Sequence, residues 1–479
     1  MVCMADGERK ASDEELLRRN EKLCRQLAEE CLKNQQLRRE NEALVTQVED
    51  LKRRLADLQR RFDDLERMAY RQAAPFRVPE KRRKTHPRRP GREPGHSACW
   101  RPVPDHVDEE RGVPLERCPH CGGPVNSVKP LEQFIEDIPP VKVHVTRLVT
   151  FVGNCPRCGT VRSTDPLQVS VAGGSAKSQI GPRALALAAK LKEDLGLTFR
   201  RTAEVLRLFG LEITAGGLSQ AMRRVARRLK PTYEQIARAI RSGPVAHADE
   251  TSWYVGSPGW WLWVFAGLRQ TLYVVEDCRG ALVVERVLGE RFGGVLVSDC
   301  LASYDPMPCR KQKCYAHHLR ALTESIERLP PESAEPLRLL KVYLKTAMTL
   351  AGMRGKMPAE DFERRAESLR QCVYGIIDQP HAEAGVEKAL HRFRTHREHL
   401  FTFLDHPEVD ATNNLAERQL RPAVIARKVS CGNKTVSGKE TWQTLASIAA
   451  TCRQQMASFV DLVARSMPLT APPLALIPP

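Results

Sequence analysis

Two acidic residues near the middle of the sequence each follow an apolar run. Val245-Ala246-His247-Ala248 leads into Asp249, and Gly294-Val295-Leu296-Val297-Ser298 leads into Asp299. Carboxylates brought to one place repel each other unless a cation lies between them. Hard divalent ions such as Mg²⁺ suit carboxylate oxygens, and a pair of them clamps the attacking and leaving oxygens of a phosphoryl transfer. Such a pocket needs a third acid. Glu417, in Asn413-Asn414-Leu415-Ala416-Glu417-Arg418-Gln419-Leu420-Arg421-Pro422, is the best candidate, with Glu440 in Gly438-Lys439-Glu440-Thr441 next after it. A single acid after a strand is as readily a turn or N-cap residue; it is the ordered set that points to chemistry.

A second constellation uses sulfur. Cys118-Pro119-His120-Cys121-Gly122-Gly123 and Cys155-Pro156-Arg157-Cys158-Gly159 are two Cys-x-x-Cys knuckles. Together Cys118, Cys121, Cys155 and Cys158 make a closed tetrahedral set for structural Zn²⁺, with a redox role for either pair as the alternative. His120 lies inside its knuckle and is expected to be exposed, not a ligand. Cys314-x-x-His317 has the spacing of half a metal site but lacks a second pair, so a structural or site-orienting role is expected for it. Fifteen cysteines in a chain without an apolar leader fit a reducing compartment, hence thiols and metal sites instead of disulfides.

The elements that must position these residues can be read from period and composition. Val245–Thr251, Trp260–Phe265 and Thr271–Val275 read as three strands joined by hairpins. A helix over Ala281–Gly289 and a buried strand ending at Asp299 follow. The expected order is strand, strand, strand, helix, strand, with Asp249 ending the first strand and Asp299 the fourth. If those two strands are neighbours, their acids meet at one edge of the sheet. The stretch between Asp299 and Glu417 is too long for a loop. It is charged and helical in pattern, so a helical insertion over 319–406 is expected, with the core resuming over 407–466.

Upstream, residues 14–70 carry a heptad repeat. Leu16, Leu23, Leu37, Leu44, Leu51, Leu58 and Leu65 occupy d, and Asn34, Asn41, Val48, Leu55 and Phe62 are among the a positions. This pattern favours a parallel two-stranded coil and therefore a homo-oligomer. Residues 71–117 form a basic, Pro-rich linker whose Lys81, Arg82, Arg83 and Lys84 can follow a phosphate backbone or simply stay solvated. The zinc ribbon is assigned to 118–160, with Val141–Val145 and Leu148–Val152 as its strands. Residues 178–242 read as helices with a helix-turn-helix-like pair over Phe199–Phe209 and Ile213–Leu229. The second helix carries Arg223, Arg224 and Arg227, which suit a DNA groove or equally a solvated face. The first part of the core spans 243–318, and 467–479 is a Pro-rich tail expected to be disordered.

At 479 residues the chain is too long for one ordinary domain, and a net charge of +17 favours a polyanionic partner, most often nucleic acid. No apolar run is long enough to span a membrane. The fold class expected is multidomain α+β.

The motifs Ala248-Asp249-Glu250-Thr251, Ser298-Asp299, Cys314-x-Ala316-His317-x-x-Arg320 and Asn413-Asn414-x-Ala416-Glu417-Arg418-x-x-Arg421-Pro422 resemble those of insertion-sequence-66 type transposases. So does Gly91-x-x-Pro94-Gly95-His96 in the linker. The resemblance covers nearly the whole chain. It implies a DDE enzyme with an RNase H-like catalytic core, a helical insertion, and Asp249, Asp299 and Glu417 as the triad holding Mg²⁺ or Mn²⁺. It implies DNA cleavage and strand transfer on double-stranded DNA, in a cytoplasmic, nucleoid-associated protein, with accessory proteins of the same element as possible partners. Arg418 and Arg421 would then hold DNA phosphate or pair with acids. Ser252 departs from the family, where Pro is common. A nuclease on the same fold and a non-catalytic zinc-ribbon regulator are the alternatives.

Overall fold

The computed structural model describes residues 101–169, 179–469 and 471, together with Gly95, Ser97 and most residues between 19 and 58. Lys81, Arg82, Arg83, Lys84, several heptad positions (Leu16, Leu23, Leu27, Phe62 and Leu65 among them) and the tail from 472 lie outside the described residues. The chain divides into two units, Met1–Phe134 and Ile135–Pro479.

In the first unit, residues 32–55 form an unbroken helix, α1. Its d-position Leu37, Leu44 and Leu51 and its a-position Val48 and Leu55 are all between 47% and 63% exposed. The stripe the heptad predicts is therefore present on the helix and uncovered. Further on, the Cys118 knuckle is closed by Gly122 N–H donating to Cys118 O and Cys118 N–H donating to Gly123 O, each at 2.9 Å. Gly122 takes φ +73°, a conformation that suits Gly.

The second unit opens with a hairpin, β1 (Val152–Cys155) and β2 (Gly159–Arg162), whose turn is the Cys155 knuckle. The strands expected at Val141–Val145 and Leu148–Val152 do not form, apart from Val152 itself. The chain there is irregular and exposed, and among the described residues no strand pairs with it. Next come α2 (Pro182–Ala189), which runs on as a π-helical turn over Lys190–Asp194, then α3 (Phe199–Leu208), α4 (Ala215–Arg228) and α5 (Lys230–Arg241). Thr198 and Thr214 cap α3 and α4 through their side chains, so the helix pair begins where the sequence places threonine.

The core follows as β3 (Val245–Val255), β4 (Ser257–Ala266), β5 (Thr271–Glu276), α6 (Ala281–Leu288), β6 (Val295–Ser298) and β7 (Arg310–Lys313). The five strands form one sheet in the order β5-β4-β3-β6-β7. The first three pair antiparallel; β3 with β6 and β6 with β7 pair parallel. Asp249 does not end its strand as expected. β3 continues to Val255 because β4 pairs with it along its length, and the turn between them is made by Gly256 at φ +68°. What ends near Asp249 is the pairing with β6, whose last partner is His247 opposite Val297. β7 was missed because Arg310-Lys311-Gln312-Lys313 has no apolar pattern; its last three residues are nevertheless buried.

Beyond β7 lie α7 (Tyr315–Ile326), α8 (Glu335–Ala351), α9 (Ala359–Ile377), α10 (Ala384–Thr395), α11 (Thr402–Asp405), α12 (Asn414–Ser430), α13 (Val436–Gln454) and α14 (Phe459–Ser466). Alternation along the strands sorts the packing. Trp263 and Phe265 of β4 join a core with α2 to α6, α13 and α14, while Leu262 and Val264 face α12 and α13. Val245, Val295 and Val297 pack on α7 to α11.

Candidate active site

Period 2 along β3 puts Asp249 on the same face as Val245 and His247, the face on which α7 and α12 pack. Asp299, continuing the alternation of Val295 and Val297, belongs to that face as well. Glu417 reaches the same place from the first turn of α12. The start of that helix is fixed to the sheet by Asn413. Its Nδ2 donates to Ala248 O at 2.7 Å, and its Oδ1 lies 3.3 Å from Nδ1 of buried His247. Farther along α12, Arg427 Nη1 donates to Thr251 Oγ1 at 3.1 Å and Ser252 Oγ at 2.9 Å. The hydroxyl at the departing position thus anchors the helix that carries Glu417.

Asp249 feels its acidic neighbours. Burial, then the neighbouring charge of Glu250, raises the Asp249 carboxyl to about 7; Asp299 and Glu417 add to the rise, and the Glu250 backbone N–H opposes it. Glu250 points to the opposite face. It accepts from Tyr304 Oη at 2.6 Å and from Arg279 Nη2 at 2.8 Å. Asp299 Oδ1 accepts from Leu301 N at 2.9 Å, which fixes its rotamer. Lys313 is fully buried behind it, donating to Asp299 O at 3.2 Å and Asp305 Oδ1 at 2.8 Å. The ligand atoms of Asp249, Asp299 and Glu417 are not all within 4.8 Å of one another, so the three acids share a face without closing on one point; carboxylate oxygens are the donors a hard divalent cation takes.

Cys314 and His317, for which the sequence suggests a structural or site-orienting role, also lie here, with Glu417 as a neighbour the spacing does not give. Cys314 is the N-cap of α7, and its N–H donates to Ser298 O at 2.8 Å. Ligand atoms of Cys314, His317 and Glu417 all lie within 4.8 Å of one another. Glu417, far away in sequence, is thus brought beside the Cys-x-x-His pair. Glu440, the runner-up third acid, has no such setting; it is exposed on α13.

The expected DNA-contacting arginines are available. Arg223, Arg224 and Arg227 are exposed along α4, and Arg418 and Arg421 are exposed on α12. Their neighbour Arg228 is committed elsewhere, donating to Ser466 O and Pro468 O at 3.0 Å. Of the sulfur constellation, the Cys118 and Cys155 thiols are both drawn below the ordinary thiol range by backbone N–H groups of their own knuckles, from His120 and Arg157 first. Each knuckle by itself is thus shaped for thiolate.

Comparison with known proteins agrees in direction. The family described as Transposase IS66 family matches residues 177–441, which include all three acids. The chain is similar to the uncharacterized protein y4jD of Sinorhizobium fredii, 26% identical over 369 residues, covering 69% of this chain and 70% of that one. It is also similar to the uncharacterized protein y4qI of the same organism, 25% identical over 319 residues, covering 60% of this chain and 58% of that one. No helix among the described residues is long and apolar enough to cross a membrane.

Proposed function

This chain belongs to the IS66 family of transposases, and from that premise we propose that it binds the ends of its insertion element and catalyses metal-dependent DNA cleavage and strand transfer at Asp249, Asp299 and Glu417. One observation supports the reading: Asp249 on β3, Asp299 after β6 and Glu417 in the first turn of α12 share the face where α7 and α12 pack, and the charges of Asp299 and Glu417 add to the rise of the Asp249 carboxyl. The order β5-β4-β3-β6-β7, with its antiparallel and parallel halves, supports an RNase H-like core. Mg²⁺ or Mn²⁺ held by the three acids would supply Lewis-acid charge at the scissile phosphate. In the first step water adds to phosphorus at the element end and the 3′ oxygen leaves. In the second that 3′ oxygen adds to a target phosphorus and the target's own 3′ oxygen leaves. Arg418 and Arg421, exposed on the helix of Glu417, would hold the DNA backbone beside the reacting phosphate. Arg223, Arg224 and Arg227 of α4, and Lys81, Arg82, Arg83 and Lys84 of the linker, would contribute salt-dependent affinity for double-stranded DNA. The four knuckle thiols would hold structural Zn²⁺. A protein with this task works on cytoplasmic, nucleoid-associated DNA.

The test is a gel shift on element ends beside a cleavage and joining assay in Mg²⁺. Asp249→Asn, Asp299→Asn and Glu417→Gln should each keep end binding and lose roughly 10² or more in rate, the scale on which removing preorganised charge acts. Cleavage without joining by the parent chain would make it a nuclease. Full activity in all three variants would end the three-carboxylate reading.

A further inference from the structure

The meeting point of α7 and α12 holds more than a carboxylate. Cys314, His317 and Glu417 present a thiol, an imidazole and a carboxylate whose ligand atoms lie within 4.8 Å of one another. Ligands about 2.0–2.3 Å from a tetrahedral ion lie roughly 3.3–3.8 Å apart, so closing on one needs a movement of at most about 1.5 Å. The sulfur already has backbone donors aimed at it. The Asn413 N–H donates to Cys314 Sγ at 3.2 Å, and the Ala316 and His317 N–H groups also point to it. Those amides come from the first turns of two helices, where donors lack helical partners. The imidazole is set up as a ligand. Nδ1 of His317 is buried and has no hydrogen-bond partner among the described residues. An unpartnered buried ring nitrogen costs stability unless something binds it.

We propose that Cys314, His317 and Glu417 form a binding site for a borderline divalent cation of the zinc class, with Glu417 shared between this site and the Asp249–Asp299 pair. Sulfur and imidazole donors select such an ion over Mg²⁺, which asks for oxygen. Three protein ligands leave a fourth position open, where a structural site is closed by four. The site shares Glu417 with the proposed catalytic centre and otherwise rests on different ligands, so the two readings can fail separately.

The experiment uses the full chain. Zinc content per chain is measured after equilibration with Zn²⁺ and removal of free ion, and the thiolate-to-metal absorption is recorded after loading with Co²⁺. His317→Ala, at a part-buried position, should hold one equivalent of zinc fewer than the parent. Cys314→Ser, a near-isosteric change, should lose the same equivalent and the share of Co²⁺ absorption due to its sulfur. Cys118→Ser should lose a different equivalent, so that its combination with His317→Ala loses both. Asp249→Asn should keep the Cys314–His317 equivalent. Unchanged zinc content in both His317→Ala and Cys314→Ser would overturn the proposal. So would loss of that equivalent in Asp249→Asn with retention in His317→Ala, which would assign the ion to the carboxylates alone. Failure of strand transfer with the zinc results intact would count against the transposition chemistry and leave this site standing.

Discussion

Asp249 shows how a single residue feels the site. Its carboxyl has a usual value of 3.8 and is held at about 7 in the fold, chiefly by burial. The difference corresponds to roughly 4 kcal/mol against ionisation in the metal-free chain. Because the folded value is the raised one, the folded chain binds more protons than the unfolded chain between those pH values. Stability therefore falls as pH rises from about 4 to about 7. Asp249→Asn removes the charge and should raise the melting temperature of the metal-free chain at pH 8, while having little effect at pH 4. A variant no more stable than the parent at pH 8 would show that the acid is not strained. By the same linkage, Mn²⁺ affinity of the parent should climb with pH up to about 7 and then level off, as the ion stops competing with a proton. Titration calorimetry at several pH values reads this directly.

Among the elements, α12 decides whether the third acid arrives. Its apolar side, Ala416, Leu420 and Ala423, packs against β3 and β4, and Asn413 pins its first turn to Ala248 O. Asn413→Ala leaves Ala248 O and the His247 ring without their partner in a buried place. A loss of about 1–3 kcal/mol in stability is expected from such an unsatisfied group. The sharper expectation concerns function: cleavage should fall more than end binding, because Glu417 is displaced while α4 and the linker are untouched. Chemical denaturation and the paired gel-shift and cleavage assays measure the two effects. Equal loss of binding and cleavage would point to general unfolding instead of a misplaced acid.

At the scale of the whole molecule, α1 presents Leu37, Leu44, Val48, Leu51 and Leu55 uncovered along one helical period. Such a stripe is stable in water only against another helix. A chain lacking residues 1–70 should lose its main self-association surface, sediment as a smaller species than the parent, and fail to hold two DNA ends together while still binding one. An unchanged sedimentation coefficient after allowing for mass would place the oligomer contact elsewhere. The fold also assigns Arg228 to the C-terminal segment, so salt dependence of DNA binding should respond to Arg223, Arg224 and Arg227 and little to Arg228.

Much of this protein is written in local pattern. The helical period around α1, the helix pair that became α3 and α4, the β-branched and aromatic runs of β3 to β6 and the two cysteine knuckles are short-range features, so sequence alone places them. It also nominates Asp249 and Asp299, because acids after apolar runs form a pattern even without a fold, and Glu417 through the motif Asn413-Asn414-x-Ala416-Glu417-Arg418. Tertiary structure decided the rest. β7 has no pattern of its own and exists because β6 offers it a ladder. β3 passes beyond Asp249 because β4 keeps pairing with it, and Val141–Val145 stays irregular, with no strand among the described residues pairing with it. The grouping of Cys314 and His317 with Glu417 has the same origin. Two helix starts nearly a hundred positions apart are brought together by Asn413 N–H on Cys314 Sγ and Tyr315 N–H on Ala411 O, contacts that no sequence period can encode.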